Sequence, residues 1–376
     1  MQQRTTRFAI GCAVAIGAAL TLFILFTSMV GIYTDWLWFA SLNQLSTYQT
    51  QLWTRAGLWL AGALLVILVL AVNWFLIPRR LFGPLELPQR DPTRPRLAIY
   101  SRGLAVIQRL AVALFAVVMA SGASARWMSF LTFRHAVPFG LSDPIFGHDA
   151  SFYVFKLPLY RYLVGWLLGL VAVTLIGCVF AYLSAQRIGE RAATTHLSIL
   201  GALFLVGKAV DYQLQRLALL DSSRGAVFGA GYTDVHARMP LLHLLTGVAL
   251  LGALLLVANV FVRRWRPTAS GRWVLIAAGA GLALTVLSPL YPAIVQRFSV
   301  QPNELALERP YIEHNIRFTR YAYGLEDVQE TPYQVTGRLT AEKLEANAEI
   351  LENVRLWDWR PLRTTYEQLQ EIRTYY

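Results

Sequence analysis

Lys208 and Asp211 stand three residues apart inside the long apolar run 201–219, a spacing that places an ammonium and a carboxylate on one helical face within pairing reach. Moving a charge from water into a bilayer costs at least about 2.5–3.5 kcal/mol on insertion scales, so a sequence surrounded by apolar alternatives gains something by keeping two. Two chemistries fit: a mutually neutralised pair that pins its helix, or a proton or ion relay. The run GALFLVGKA at 201–209 superficially resembles a phosphate-binding loop. It fails on spacing, with five residues between the glycines, and on Ala209, where a hydroxyl should meet magnesium. A second cluster follows in SSRGAVFGAGYTDVHARMP, where Arg224, Tyr232, Asp234, His236 and Arg238 sit among glycines. A carboxylate and an imidazole two residues apart suit an anion or a metal, but no second ligand set has matching spacing, and a rigid hydrogen-bonded loop satisfies the same residues. A third cluster, Asp143, His148 and Asp149, lies among prolines and glycines and reads as turn capping by Asp before it reads as a metal site. His314 follows Glu313 and Glu308 is near, but HExxH, GxSxG and dinucleotide fingerprints are absent. The sequence therefore assigns no catalytic residue, no metal and no cofactor. Cys12 and Cys178 both lie in apolar runs without CxxC spacing and read as packing residues.

The elements that must position these residues are transmembrane helices. The chain has 376 residues, 56% of them hydrophobic and only 15% charged, against the roughly 25% charged of ordinary soluble proteins. Seven apolar runs have spanning length: about 8–32, 56–77, 103–125, 162–183, 197–219, 241–262 and 273–290. The first is about 37 Å long as a helix and lacks the short core and small-residue site of a cleaved signal peptide. The tryptophans of YTDWLWF suit a membrane interface. The second span is expected to stop at Pro78, followed by an extended proline-rich loop. In the fourth, Gly165 and Gly169 at GxxxG spacing predict close approach of a neighbouring helix. The connection 126–161 is too aromatic for a flexible linker and predicts an ordered cap lying on the membrane.

Charge sets the orientation. The formal net charge of +12 is uneven: residues 293–376 hold 10 Lys and Arg against 13 Asp and Glu, and residues 1–292 hold 24 against 9. The basic excess is strung between apolar runs and not gathered on a soluble face, which excludes a nucleic-acid partner. Fourteen arginines, from Arg4 to Arg272, fall on the side of the N-terminus and eight basic residues on the other. The Lys/Arg bias rule then places the N-terminus in the cytoplasm and everything after residue 292 outside the cell. There, 293–376 reads as the start of a soluble domain, with helices near 303–323, 340–353 and 361–373, a strand near 328–335, Asn303 and Thr340 as N-caps, Pro310 and Pro361 in first turns and Gly324 as a stop. The chain stops at Tyr376 without a polar tail and reads as truncated.

The stretches YTDWLWF, VPFGLSDPIFGHDASFYVFKLP, KAVDYQL, SSRGAVFGAGYTDVHAR, ERPYIEHNIRFTRYAYGL and LWDWRPL resemble the signature segments of the uncharacterised bacterial membrane protein family UPF 0182. That resemblance covers nearly the whole chain and implies seven N-terminal spans before a large extracytoplasmic domain, with an acidic C-terminal region that has no counterpart in these residues. It carries over no activity and no site residue. The expected fold is an all-α polytopic membrane protein of about seven transmembrane helices, followed by the start of a mainly helical α+β extracytoplasmic domain. The expected function is a multi-pass, non-enzymatic anchor or scaffold of the bacterial plasma membrane. It would present its outer domain to a partner protein, lipid or cell-surface polymer. The rival is a transporter or channel using Lys208 and Asp211, and a third reading is a membrane enzyme acting on lipid-linked substrates through Asp234 and His236.

Overall fold

The computed structural model describes residues 2–82, 101–265, 279, 281, 286, 288–332, 340–354 and 358–370. Among them every regular element is a helix, and the one β feature is an isolated antiparallel bridge between Ser142 and Asp149. Five helices are long and apolar enough to cross a membrane: Leu45–Leu81, Val106–Ala125, Phe152–Ser184, Arg191–Asp221 and Asp234–Phe261. They correspond to the second to sixth expected spans. The first expected span lies in α1, Gln2–Ser41. The seventh, 273–290, falls almost wholly outside the described residues, so seven crossings are more than the described helices establish. The expected strand finds no support either: 328–332 are irregular and 333–339 lie outside the described residues.

Helix ends follow from local chemistry. Helix α1 closes on Asn43, whose φ of 57° is the left-handed conformation that asparagine tolerates, with Gln44 N–H donating to Phe39 O (2.9 Å) and Asn43 N–H to Ala40 O (3.1 Å). The chain then turns directly into α2, Leu45–Ala71. The same two-bond closure recurs at Gln186, after α6 (Leu157–Ser184), and at Gly324, after α10 (Glu304–Ala322).

Proline does not stop α2. A π turn over Val72–Leu76 passes the helix into α3, Ile77–Phe82, with Pro78 fully buried inside it. Ile77 N–H bonds back five residues to Val72 O, and Pro78, lacking an N–H, leaves the next carbonyl free. That carbonyl, Asn73 O, accepts the Cys178 thiol at 3.5 Å. The pattern repeats: the π turns Phe152–Lys156, Asp234–Arg238 and Gln296–Val300 are each followed two residues later by a proline, Pro158, Pro240 and Pro302. The missing donor lets the ladder change register at each point, so these prolines mark wide turns within helices instead of helix ends.

Helices α2, α4 (Ser101–Ala125), α6 and α7 (Arg191–Leu217) enclose the main core, built on Val66, Leu70, Trp74, Ala116, Leu170 and Tyr182. Gly62 admits α4, since a Cβ there would meet Ala120 Cα at 3.3 Å; Gly177 admits the Trp74 ring, which a Cβ would meet at 2.2 Å. Helix α8, Met239–Trp265, packs on α7 through Ala209, Tyr212, Leu245 and Ala249. Among the described residues no helix makes the expected GxxxG contact: neither Gly165 nor Gly169 has anything within 4 Å of an added Cβ, because the face they share points away from the described helices.

The chain divides into two compact units, Met1–Thr319 and Arg320–Tyr376. The first contains the bundle, the short α5 (Trp127–Arg134), α9 (Leu290–Val295) and most of α10. The wide turn after α9 runs through Gln301–Asn303 straight into α10, so Asn303 does not begin a helix and Pro310 lies in a helix interior. The second unit holds α11 (Ala341–Glu345), capped by Thr340 Oγ1 accepting from Lys343 N–H, then α12 (Ala348–Asn353) and α13 (Trp359–Gln370) with Pro361 in its first turn.

Candidate functional site

The expected pair exists. Lys208 Nζ lies 2.5 Å from Asp211 Oδ2, the same oxygen accepts from Gln215 Nε2 at 2.9 Å, and the ammonium sits 4.6 Å from the centre of the Tyr212 ring. Spacing explains where it points. On α7, Gly207 meets Leu168 of α6 while Ala209 and Tyr212 meet α8, which leaves Lys208, Asp211 and Gln215 on the face between those two neighbours. The other edge of α7 exposes Ile199, Leu203, Val206 and Val210. The ammonium is held by a carboxylate and a ring, and the carboxylate by two donors, so the pair is closed on itself.

A second polar chain runs through the main core. Tyr182 OH meets His196 Nδ1 at 2.7 Å, and His196 Nε2 meets Asn73 Oδ1 at 3.0 Å. Asn73 is presented by the π turn, which swings its side chain out of the ordinary helical register, and its Nδ2 donates to Val69 O. Sequence reasoning does not find these three: they lie on three helices, 123 residues apart at the extreme. The signal present in the chain is Pro78, two residues beyond a turn containing a polar side chain.

The cap residues behave as turn chemistry predicts. Asp149 accepts from Phe139, Gly140 and Ser151 N–H groups (3.0, 2.8 and 2.8 Å). Bonds to the Ser151 side chain and then to these amides hold its carboxyl well below the usual range. Asp143 accepts from Ile145, Phe146 and His148 N–H and from Tyr153 OH at 2.6 Å. His148 packs its ring on Phe152 and contributes no polar contact to either carboxylate through its side chain. No group of three metal-ligating side chains occurs among the described residues.

At the same end of the bundle the glycine-rich turn meets a residue that the sequence offers only as a neighbour of Glu313 and His314. Glu308, on α10, is 1% exposed, and the Tyr232 N–H donates to both of its carboxylate oxygens at 3.1 Å. Tyr232 opens the helix that continues into α8, so a buried anion sits on the free N–H groups and positive dipole end of that helix. Gly231 is required by the approach: a Cβ there would lie 2.8 Å from Glu308 Oε2 and 3.0 Å from Oε1. Burial pushes the Glu308 carboxyl up, the Tyr232 amide opposes that shift, and Glu304 and Asp234 add to it. Two further contacts tie the same segments: Thr233 Oγ1 donates to Gln296 Oε1, and Asn315 Nδ2 donates to Phe228 O at 2.7 Å.

Beside Glu308, a cavity of about 150 Å³ is lined by Arg224, Thr233, Asp234, Arg238, Gln296 and Glu308 among others. Asp234 Oδ1 and Arg238 Nη1 stand 3.2 Å apart at an angle short of a hydrogen bond. Arg224 and Arg238 thus offset the buried Asp234 carboxylate, while the Tyr232 N–H holds Glu308. Of the five residues singled out by sequence, Arg224, Asp234 and Arg238 join this wall. His236 stacks on the Tyr232 ring (4.1 Å between centres) and reaches Tyr311 OH at 3.4 Å, so it belongs to the surface of the clasp and not to the cavity. Asp234 and His236, two residues apart, do not converge on one ligand.

Fold and site together define a helix bundle of membrane-crossing dimensions, clasped at one end by the segment beyond it, with no assembled catalytic constellation among the described residues. Residues 12–376 match the Uncharacterised protein family (UPF0182), and the chain belongs to that family. It is 36% identical over 387 residues to a UPF0182 protein of Pelotomaculum thermopropionicum, covering 98% of this chain and 42% of the relative. It is 38% identical over 379 residues to one of Cupriavidus necator, covering 96% and 40%. The chain thus spans about two fifths of the length of the curated relatives it matches. No solved structure matches it.

Proposed function

We propose that this chain is the membrane-embedded part of a non-enzymatic envelope protein, a seven-span anchor in the bacterial plasma membrane. It holds residues 288–319 against its outer end and presents the more distal chain, outside the cell, to a partner protein, a lipid or a cell-surface polymer. The observation that carries this reading is the Glu308 clasp. A carboxylate withdrawn from water costs several kcal/mol unless it is bonded, and here it is spent on fixing a helix beyond the bundle to the first turn of the last described span. An anchor that positions an outer domain needs such a joint. Limited proteolysis in membranes tests it: Gly231→Ala should expose 288–319 to cleavage while Lys208→Ala/Asp211→Ala leaves it protected, and equal protection in both variants overturns the reading.

A transporter is the second reading, favoured by the Tyr182–His196–Asn73 chain and by Lys208 with Asp211, polar groups inside helices of spanning length. Proton flux into reconstituted vesicles, present in the wild type and lost in both His196→Ala and the Lys208/Asp211 double variant, would put this reading in place of the first.

A further inference from the structure

Helices α1 and α2 touch at their shared hairpin, where Tyr48 OH donates to Ile32 O at 3.0 Å and Tyr48 stacks on Phe39, and beyond it they part. The opening is a cleft of about 450 Å³, within the about 300–1,000 Å³ typical of small-molecule sites and many times the about 30 Å³ of a water. Asp35 lines it from α1, and Arg55 lines it from α2. No ion pair joins the two, and neither forms one with any other described residue. Gln51, Ser28 and Tyr48 supply further polar wall. Ser124 Oγ donates to Arg55 O at 3.0 Å and fixes that part of α2 against α4.

The level of the cleft follows from the sequence. Asp35 stands three residues past the apolar run 8–32 and Arg55 one residue before the run 56–77, so both charges sit where hydrocarbon ends on the same side of the bundle. Trp36, Trp38, Trp53 and Trp59 are exposed around them, the side chain that favours the headgroup layer. On the apolar side of the charges the flanks of both helices are exposed leucine and phenylalanine, Phe26 on α1 and Leu60 and Leu64 on α2 among them.

We propose that this cleft seats the headgroup of an ethanolamine phospholipid, its phosphate on the Arg55 guanidinium, its ammonium on the Asp35 carboxylate and its acyl chains along the exposed apolar flanks. Charge complementarity selects the occupant. Arginine is the phosphate partner in such sites, and a primary ammonium donates N–H to a carboxylate. A choline headgroup has no N–H to give Asp35, and a glycerol headgroup has no cation at all. The inference rests on α1 and α2 crossing a membrane; it does not depend on which face is outside, nor on the Glu308 clasp.

The test is lipid titration of the delipidated chain in detergent, read by thermal unfolding and by native mass spectrometry of bound lipid. Matched acyl chains on ethanolamine, choline and glycerol headgroups are compared. The ethanolamine lipid should half-saturate the unfolding shift at a concentration about tenfold lower than either alternative. Asp35→Asn should abolish the advantage over choline while leaving the unliganded unfolding temperature close to that of the wild type. Asp35→Arg and Arg55→Asp should each lose binding, and the double exchange should recover it. Equal half-saturation for the three lipids, or an ethanolamine preference untouched by Asp35→Asn, overturns the proposal. So does a disulfide cross-link showing that another part of the chain fills the cleft between positions 35 and 55.

Discussion

Replacing Gly231 by alanine adds one methyl group at the point where the segment after the bundle is locked to it. The backbone at Gly231 has no positive φ, so the substitution acts through space alone. The new Cβ would stand 2.8 Å from Glu308 Oε2, and the carboxylate would have to swing away, giving up both contacts to the Tyr232 N–H in a site that is 1% exposed. A hydrogen bond to a charged group is worth about 1.5–3 kcal/mol, and the carboxylate left behind is buried without its donor, so the expected loss is about 2–4 kcal/mol. At about 2 kcal/mol the open population rises about thirtyfold, and protease cleavage within 288–319 should accelerate by that factor when opening is fast relative to cutting. In a Glu308→Ala background the same methyl group meets no carboxylate and should cost nothing further. The carboxyl is raised by burial in the folded chain, so the charged form is disfavoured there. Below the ordinary glutamate range it is neutral in both states, and stability falls as pH rises through the raised folded value. Cleavage should therefore quicken across that window in the wild type and not in Glu308→Gln. A Gly231→Ala chain cut at the wild-type rate, or one equally weakened in both backgrounds, refutes the clasp.

Three other perturbations act on neighbouring contacts. Lys208→Ala should destabilise the bundle by about 3–5 kcal/mol in thermal unfolding because Asp211 loses its cation, while Lys208→Ala/Asp211→Ala costs much less than the sum of the single changes. His196→Ala removes the bonds to Tyr182 OH and Asn73 Oδ1 and should cost about 2–4 kcal/mol, with His196→Gln recovering part of it. Leucine at Gly165 or Gly169 should leave the unfolding temperature near that of the wild type, whereas alanine at Gly177, driven into the Trp74 ring, should lower yield and stability sharply.

The parts of this fold legible in sequence are those written locally. Five apolar runs of spanning length, the three-residue offset of Lys208 and Asp211 and the Asp turns at 143 and 149 each follow from neighbours in the chain, and the described residues carry them as expected. The burial of Glu308 is not legible, although the residue stands out near Glu313 and His314, because its own neighbours, ELALERP, look like a solvated helix; its partner is 76 residues away. His196 and Asn73 are hidden for the same reason, 123 residues apart. Pro78 reads as a stop because a lone proline does end most helices; the prolines at 78, 158, 240 and 302 as a set carry the information that each lies just past a wide turn. GxxxG at 165–169 meets no helix among the described residues, since small residues permit an approach without supplying the helix that makes it.

Sidedness tests the central claim most directly. With single cysteines introduced at Gln89 and Gln329 and the native Cys12 and Cys178 replaced, a membrane-impermeant maleimide added to intact cells should label position 329 at once and position 89 only after permeabilisation. Labelling of 89 and not 329 in intact cells would place the clasped end in the cytoplasm and contradict the anchor reading.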